Sequence, residues 1–103
     1  MSTVLSTKAP GERVFVTIIF SGELAAGETL LAIQSVSVST IYGYDPLPSA
    51  ILYGSAMLGS DQASVVQEVT GGIDPCYYDI LATCLTSSGQ VIQASAILPI
   101  QGL

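Results

Sequence analysis

The sequence predicts an all-β chain folded as a two-layer sandwich of six to seven antiparallel strands. Three observations carry that expectation. Apolar residues recur with period 2 through most of the chain. Turn-forming clusters interrupt these runs about every 8–12 residues, the spacing of a sandwich. No stretch carries a capped helical stripe: Leu24 to Ile33 can be drawn on a helix, but Gly27 and Thr29 break it early. A small barrel of the oligonucleotide-binding type is the competing architecture, and the basic, aromatic groove such a barrel uses is missing.

The elements follow in order. Residues 1–12 read as an extended N-terminal arm and 13–101 as the sandwich domain. Arg13 to Phe20 sets Val14, Val16, Ile18 and Phe20 on one face, with Phe15, Thr17 and Ile19 on the other. A strand apolar on both faces needs a covering neighbour on its outer side. Ser21-Gly22-Glu23 turns the chain, Leu24 plugs the end of the core, and Ala26-Gly27-Glu28 turns it again.

In the next strand, Thr29 to Thr40, Leu31 and Ile33 lie out of phase with Val36 and Val38. Either a bulge near Gln34-Ser35 restores the phase, or Leu31 and Ile33 face a partner. Pro46 and Pro48 make Ile41 to Pro48 a loop. A short strand at Ile51 to Tyr53 and a weaker one at Ala56-Met57-Leu58 flank Gly54. Ala63 to Val69 is a strand with Val65 and Val69 inward, closed by Gly71 and Gly72, both able to take positive φ. The final pair is the clearest. Cys76, Tyr78, Ile80, Ala82 and Cys84 share one face; after the Ser87-Ser88-Gly89 turn, Ile92, Ala94, Ala96, Leu98 and Ile100 share the facing one.

The spacing Asp74-x-Cys76-x-Tyr78-x-Ile80 resembles the Asp-x-Ala-x-Tyr-x-Cys pattern of an immunoglobulin F strand. Its physical content would be a tyrosine corner, with the Tyr78 hydroxyl bonded to backbone near the strand start. An ordinary buried strand tyrosine is the alternative. The core Trp and pinned disulfide of antibody domains are absent, so the sequence reads as an immunoglobulin-like sandwich without them.

Composition narrows function. The 103 residues include 2 basic and 8 acidic side chains, no His and no Trp, and 50% hydrophobic residues. Lys8 and Arg13 cannot neutralise a run of phosphates, which argues against nucleic acid as a partner. Val14 to Phe20 is far shorter than the roughly 20 apolar residues of a spanning helix. Glu23 and Glu28 crowd any signal-peptide cleavage site after it. No membrane partner is expected.

Catalysis has little to stand on. Without His, neither a Ser-His-Asp triad nor a His-bearing zinc site can be built within this chain. The closest acid pairs, Glu23 with Glu28 and Asp74 with Asp79, point to opposite faces if extended. Asp45 and Asp61 lack the spacing of a calcium loop. Gly71-Gly72 has no Lys or following helix to make a phosphate loop. The expectation is therefore no enzyme activity, no cofactor and no metal. Cys76 and Cys84, eight residues apart on an extended strand, would lie about 26 Å apart at roughly 3.3 Å per residue. That is too far for a disulfide, and two free buried thiols suit a reducing cytosol.

What remains for function is the weakly charged surface itself. Phe15, Ile19, Tyr42, Tyr44 and Tyr53 are the suspected interface residues, since interface centres are rich in aromatics and poor in Lys, Glu and Asp. Gly71, Gly72, Cys76, Tyr78 and Cys84 are read as structural.

Several segments, in order and spacing, resemble the small immunoglobulin-like structural proteins of tailed bacteriophages, described as fibre-to-tail adaptors or neck proteins. They are Leu24-Ala25-Ala26-Gly27-Glu28-Thr29-Leu30, Val69-Thr70-Gly71-Gly72, Tyr78-Asp79-Ile80-Leu81-Ala82-Thr83, Thr86-Ser87-Ser88-Gly89-Gln90 and Ala96-Ile97-Leu98-Pro99-Ile100. The likeness runs from Lys8 to Ile100. It departs at Ile19, where relatives carry Asp before the Phe-Ser step, and at Pro75-Cys76, where a glycine and a small residue are usual. The resemblance implies a non-enzymatic virion subunit made in the host cytoplasm and placed at the neck or tail. Its partners would be portal or adaptor-ring, tail or fibre proteins, with self-association in a ring. A capsid decoration protein and an immunoglobulin-like adhesion module are the alternatives.

Overall fold

The computed structural model describes residues 2–102. Seven strands form along them: β1 Ser2–Val4, β2 Arg13–Ile19, β3 Leu30–Tyr42, β4 Leu52–Leu58, β5 Ser64–Thr70, β6 Tyr77–Thr86 and β7 Val91–Pro99. A single 3₁₀ turn, Pro48–Ile51, ends the proline loop and buries Ile51. The strands make two sheets, ordered β1-β7-β6-β3 and β2-β5-β4. Every pairing is antiparallel except β1 with β7.

This is the B-E-D and C-F-G arrangement of an immunoglobulin sandwich, with one difference. The first strand joins β7 instead of β2, so β2 is left as the outer strand of its sheet. The N-terminal segment runs on along β7: Leu5 and Lys8 donate their N–H groups to the carbonyls of Ile97 and Pro99.

The core is built by the inward sets that period 2 selects. Val16, Ile18, Phe20, Val65 and Val69 come from one sheet and Tyr78, Ile80, Ala82, Cys84, Ala94, Ala96, Leu98 and Ile100 from the other or its flanks, all essentially buried. In β3 the register against β6 slips between Leu30 and Ala32 and again between Ile33 and Ser35. Each slip inserts one residue and reverses the phase. Leu30, Ile33, Val36, Val38 and Thr40 thereby stand opposite Thr86, Cys84, Ala82, Ile80 and Tyr78, the inward row of β6. The expected bulge at Gln34 thus brings Ile33 onto the core, while Leu31 stays outside, 56% exposed. β4 slips between Tyr53 and Met57. There the buried Gln67 amide donates to the carbonyls of Tyr53, Gly54 and Glu68, satisfying groups the ladder leaves over.

Lys8 is buried, and its ammonium donates to the carbonyls of Gly71, at 2.6 Å, and Ala9, at 2.8 Å. Burial pushes its pKa down, with nearby Glu12 opposing. The Gly71-Gly72 turn it closes has φ of +67° and +100°, and a Cβ at Gly72 would sit 2.9 Å from Ile100 Cγ1. Only glycine fits there without displacement.

Cys76, just ahead of β6, and Cys84, within it, are both free and buried. Burial pushes the Cys84 thiol up. Neither thiol is expected to react with an aromatic disulfide reagent until the chain unfolds, when both should react together. Rapid labelling of one thiol in the folded protein would show that its cover opens locally.

Candidate interaction surface

The outer face of the three-stranded sheet exposes several large apolar side chains. Cross-strand register places Phe15, Glu68 and Tyr53 in one row and Thr17, Val66 and Met57 in the next. Phe15, Ile19, Tyr53 and Met57 are 62%, 44%, 45% and 55% exposed. Arg13 lies over the Tyr53 ring, its guanidinium carbon 4.3 Å from the centroid, a cation–π contact. Next to this face a groove of about 510 Å³ separates β2 from the N-terminal segment; Leu5, Lys8, Glu12, Phe15, Thr17 and Ile19 are among its walls.

The suspected tyrosines do not form one group. Tyr53 belongs with Phe15 and Ile19. Tyr42, at the end of β3, stands opposite Tyr77 on the outer face of the other sheet, their rings edge-to-face with centroids 5.6 Å apart. With Pro75, Pro99 and Gln101 they line a hollow of about 420 Å³. Tyr44, in the proline loop, is 78% exposed. Sequence reading did not single out Met57, because Gly54 had cut its strand short. The continuous alternation from Leu52 to Leu58 was the available signal.

The Tyr78 hydroxyl accepts the Ile73 N–H at 3.0 Å and donates to Asp45 Oδ2 at 2.6 Å. It is a tyrosine corner with a second anchor. Asp45 Oδ1 also accepts the Leu47 N–H at 2.9 Å, so one carboxylate both shapes the proline loop and clips it to β6. Burial, with the Asp45 hydrogen bond second, pushes the Tyr78 phenol well above its ordinary value.

Other carboxylates do similar local work. Glu12, Glu28, Asp61 and Asp74 accept the N–H groups of Ala9, Ala25, Ala63 and Gly102. Glu28 also accepts the hydroxyls of Thr86 and Ser88, tying its turn to the β6–β7 hairpin. The Ser88, Ala25 and Thr86 bonds together hold its carboxyl below the usual range. Asp45 and Asp61 are thus engaged in separate turns, and Asp74 in a third. Among the described residues no group of three His, Cys, Asp or Glu side chains is placed to hold a metal ion. No described helix is long and apolar enough to cross a membrane.

The fold and this surface define an immunoglobulin-like sandwich with an exposed apolar sheet face beside an unpaired edge. No family model matches the sequence, and comparison with curated proteins and with solved structures found no match.

Proposed function

We propose that the chain is a non-enzymatic structural subunit that works by assembly, as a connector at the neck or tail of a tailed-bacteriophage particle. The observation that carries the assembly reading is the outer face of β2 and β4. Four large apolar side chains stand exposed there beside an unpaired edge strand, in a chain with only 10% charged residues. Such a surface left in water is an aggregation hazard, and burial against a neighbour removes it. The virion setting is supported by the likeness of the turn and strand motifs to phage adaptor proteins.

The test is the double substitution Phe15→Ser with Ile19→Ser. Both side chains point outward, so the isolated domain should stay folded, with a stability change within about 1 kcal/mol. Incorporation into particles should be lost. Normal incorporation would overturn the proposal, as would a particle map with Phe15, Ile19 and Tyr53 all in open solvent. Unfolding of the double variant would show instead that the face packs within the chain.

A further inference from the structure

Four strands stand at sheet edges: β1 and β3 in one sheet, β2 and β4 in the other. Proteins guard edges by brevity, bulges, inserted charge or proline. β1 is only 3 residues long. β3 changes register at three places, and β4 slips around Gly54, which has φ +71°. Of these guards β2 keeps only a charge at its first residue, Arg13. Its 7 residues run in unbroken register with β5, from Arg13 opposite Thr70 to Ile19 opposite Ser64, without proline.

The direction of its free main-chain groups follows from the ladder. Phe20 donates its N–H to the Ala63 carbonyl. Alternation in an antiparallel pair then turns the main-chain groups of Val14, Val16 and Ile18 toward β5. Those of Phe15, Thr17 and Ile19 face the open side. The same three residues carry side chains on the exposed outer face.

We propose that a second copy of this chain fills that side, its β2 pairing antiparallel with the first about a twofold axis at Thr17. This rests on the assembly reading above and names the partner of the β2 edge. The three outward-facing residues are symmetric about Thr17, so one strand serves as both template and addition. Thr17 stands opposite Thr17 of the second copy, and Phe15 opposite Ile19 of the second copy. The two exposed apolar side chains of β2 thereby meet across the pair, and the paired hydroxyls are a favourable cross-strand combination. Arg13 falls opposite Ser21 of the second copy, so no like charges meet directly. A groove between β2 and the N-terminal segment runs along this side. Two three-stranded sheets become one continuous sheet. Because a twofold contact closes on itself, a ring would be a ring of pairs.

Cross-linking of the full chain reads the register directly. Residues exchanging both hydrogen bonds across an antiparallel pair have Cα atoms about 5.5 Å apart, within the roughly 4.4–6.8 Å a disulfide spans. Thr17→Cys should therefore give covalent dimers on mild oxidation. Phe15→Cys alone should give few, and Phe15→Cys combined with Ile19→Cys should give them again. The buried Cys76 and Cys84 do not compete. Light scattering should find the wild-type chain dimeric, and Thr17→Lys, which sets two ammonium groups side by side, should shift it to monomer.

A wild-type chain that stays monomeric at high concentration overturns the inference, as does a dimer that cross-links best at other positions. If Thr17→Lys enters particles normally while the Phe15 and Ile19 double variant does not, the pair is wrong and the connector reading stands. If Thr17→Cys cross-links in register while the double variant enters particles normally, the pair stands and the connector reading falls.

Discussion

Tyr78→Ala is expected to cost about 3–5 kcal/mol, a large share of the roughly 5–15 kcal/mol that holds a domain this size. The ring is fully buried between the sheets, so its removal leaves a large cavity. Its hydroxyl also joins three separate pieces of chain: β6, the turn at Ile73, and the proline loop through Asp45. Tyr78→Phe keeps the ring and should cost about 1–3 kcal/mol, because the Ile73 N–H and one Asp45 oxygen lose their partner. Asp45→Ala removes the other half of the clip. The two costs should fall short of adding, since either change alone breaks the same bond.

The pH dependence separates the hydroxyl from the ring. The folded-state pKa of Tyr78 is raised above its ordinary value of 10.0, chiefly by burial. Above pH 10 the unfolded chain therefore releases this proton while the folded chain keeps it. Stability is full below that point and falls as pH rises. Lys8, with its pKa lowered from 10.5, acts in the opposite sense, favouring the fold as pH climbs toward that value. Comparing wild type with Tyr78→Phe cancels the lysine. Denaturant midpoints measured from pH 8 to 11 should fall more steeply for wild type. Parallel curves would mean the phenol is not sealed in the folded protein.

That clip also marks where sequence reading runs out. The inward rows of β5, β6 and β7 are set by alternation among near neighbours, and the phase conflict in β3 called for either a bulge or a facing partner. All of these are local signals. The Asp45–Tyr78 bond joins residues 33 positions apart, and nothing in Tyr-Asp-Pro distinguishes a clip from simple turn chemistry. Likewise the alternation of Thr3 and Leu5 is too short to show that this segment joins β7 in parallel. That pairing decides which strand is left unpaired, and so where the open edge lies. Tyr42, Tyr44 and Tyr53 are close in number without sharing one surface. The strand leaving the loop enters the other sheet, and takes Tyr53 with it.

Gly43→Ala is the second large effect, expected at about 2–5 kcal/mol from two independent terms. Gly43 has φ +84°, and placing a residue with a Cβ in the left-handed region costs roughly 1–2 kcal/mol. A Cβ there would also lie 2.7 Å from Cys76 Sγ and 3.1 Å from Cys76 Cα. Overpacking of this kind costs about 1–3 kcal/mol. The crowding belongs to the same clip, because the Cys76 thiol donates to the Tyr44 carbonyl at 3.5 Å. Removing the sulfur should therefore relieve part of the damage. Cys76→Ala alone loses a small buried group and a weak hydrogen bond, a cost of about 1 kcal/mol. In the Gly43→Ala, Cys76→Ala double variant the added methyl can occupy the space the sulfur left, and the total should be smaller than the sum by about 1 kcal/mol. The backbone cost remains, because the φ angle and the close approach to the Cys76 main chain are unchanged. Denaturant melts of the four proteins in the cycle measure this. Additivity within about 0.5 kcal/mol would mean that Gly43 does not lie against Cys76, and that the proline loop is held by Asp45 alone.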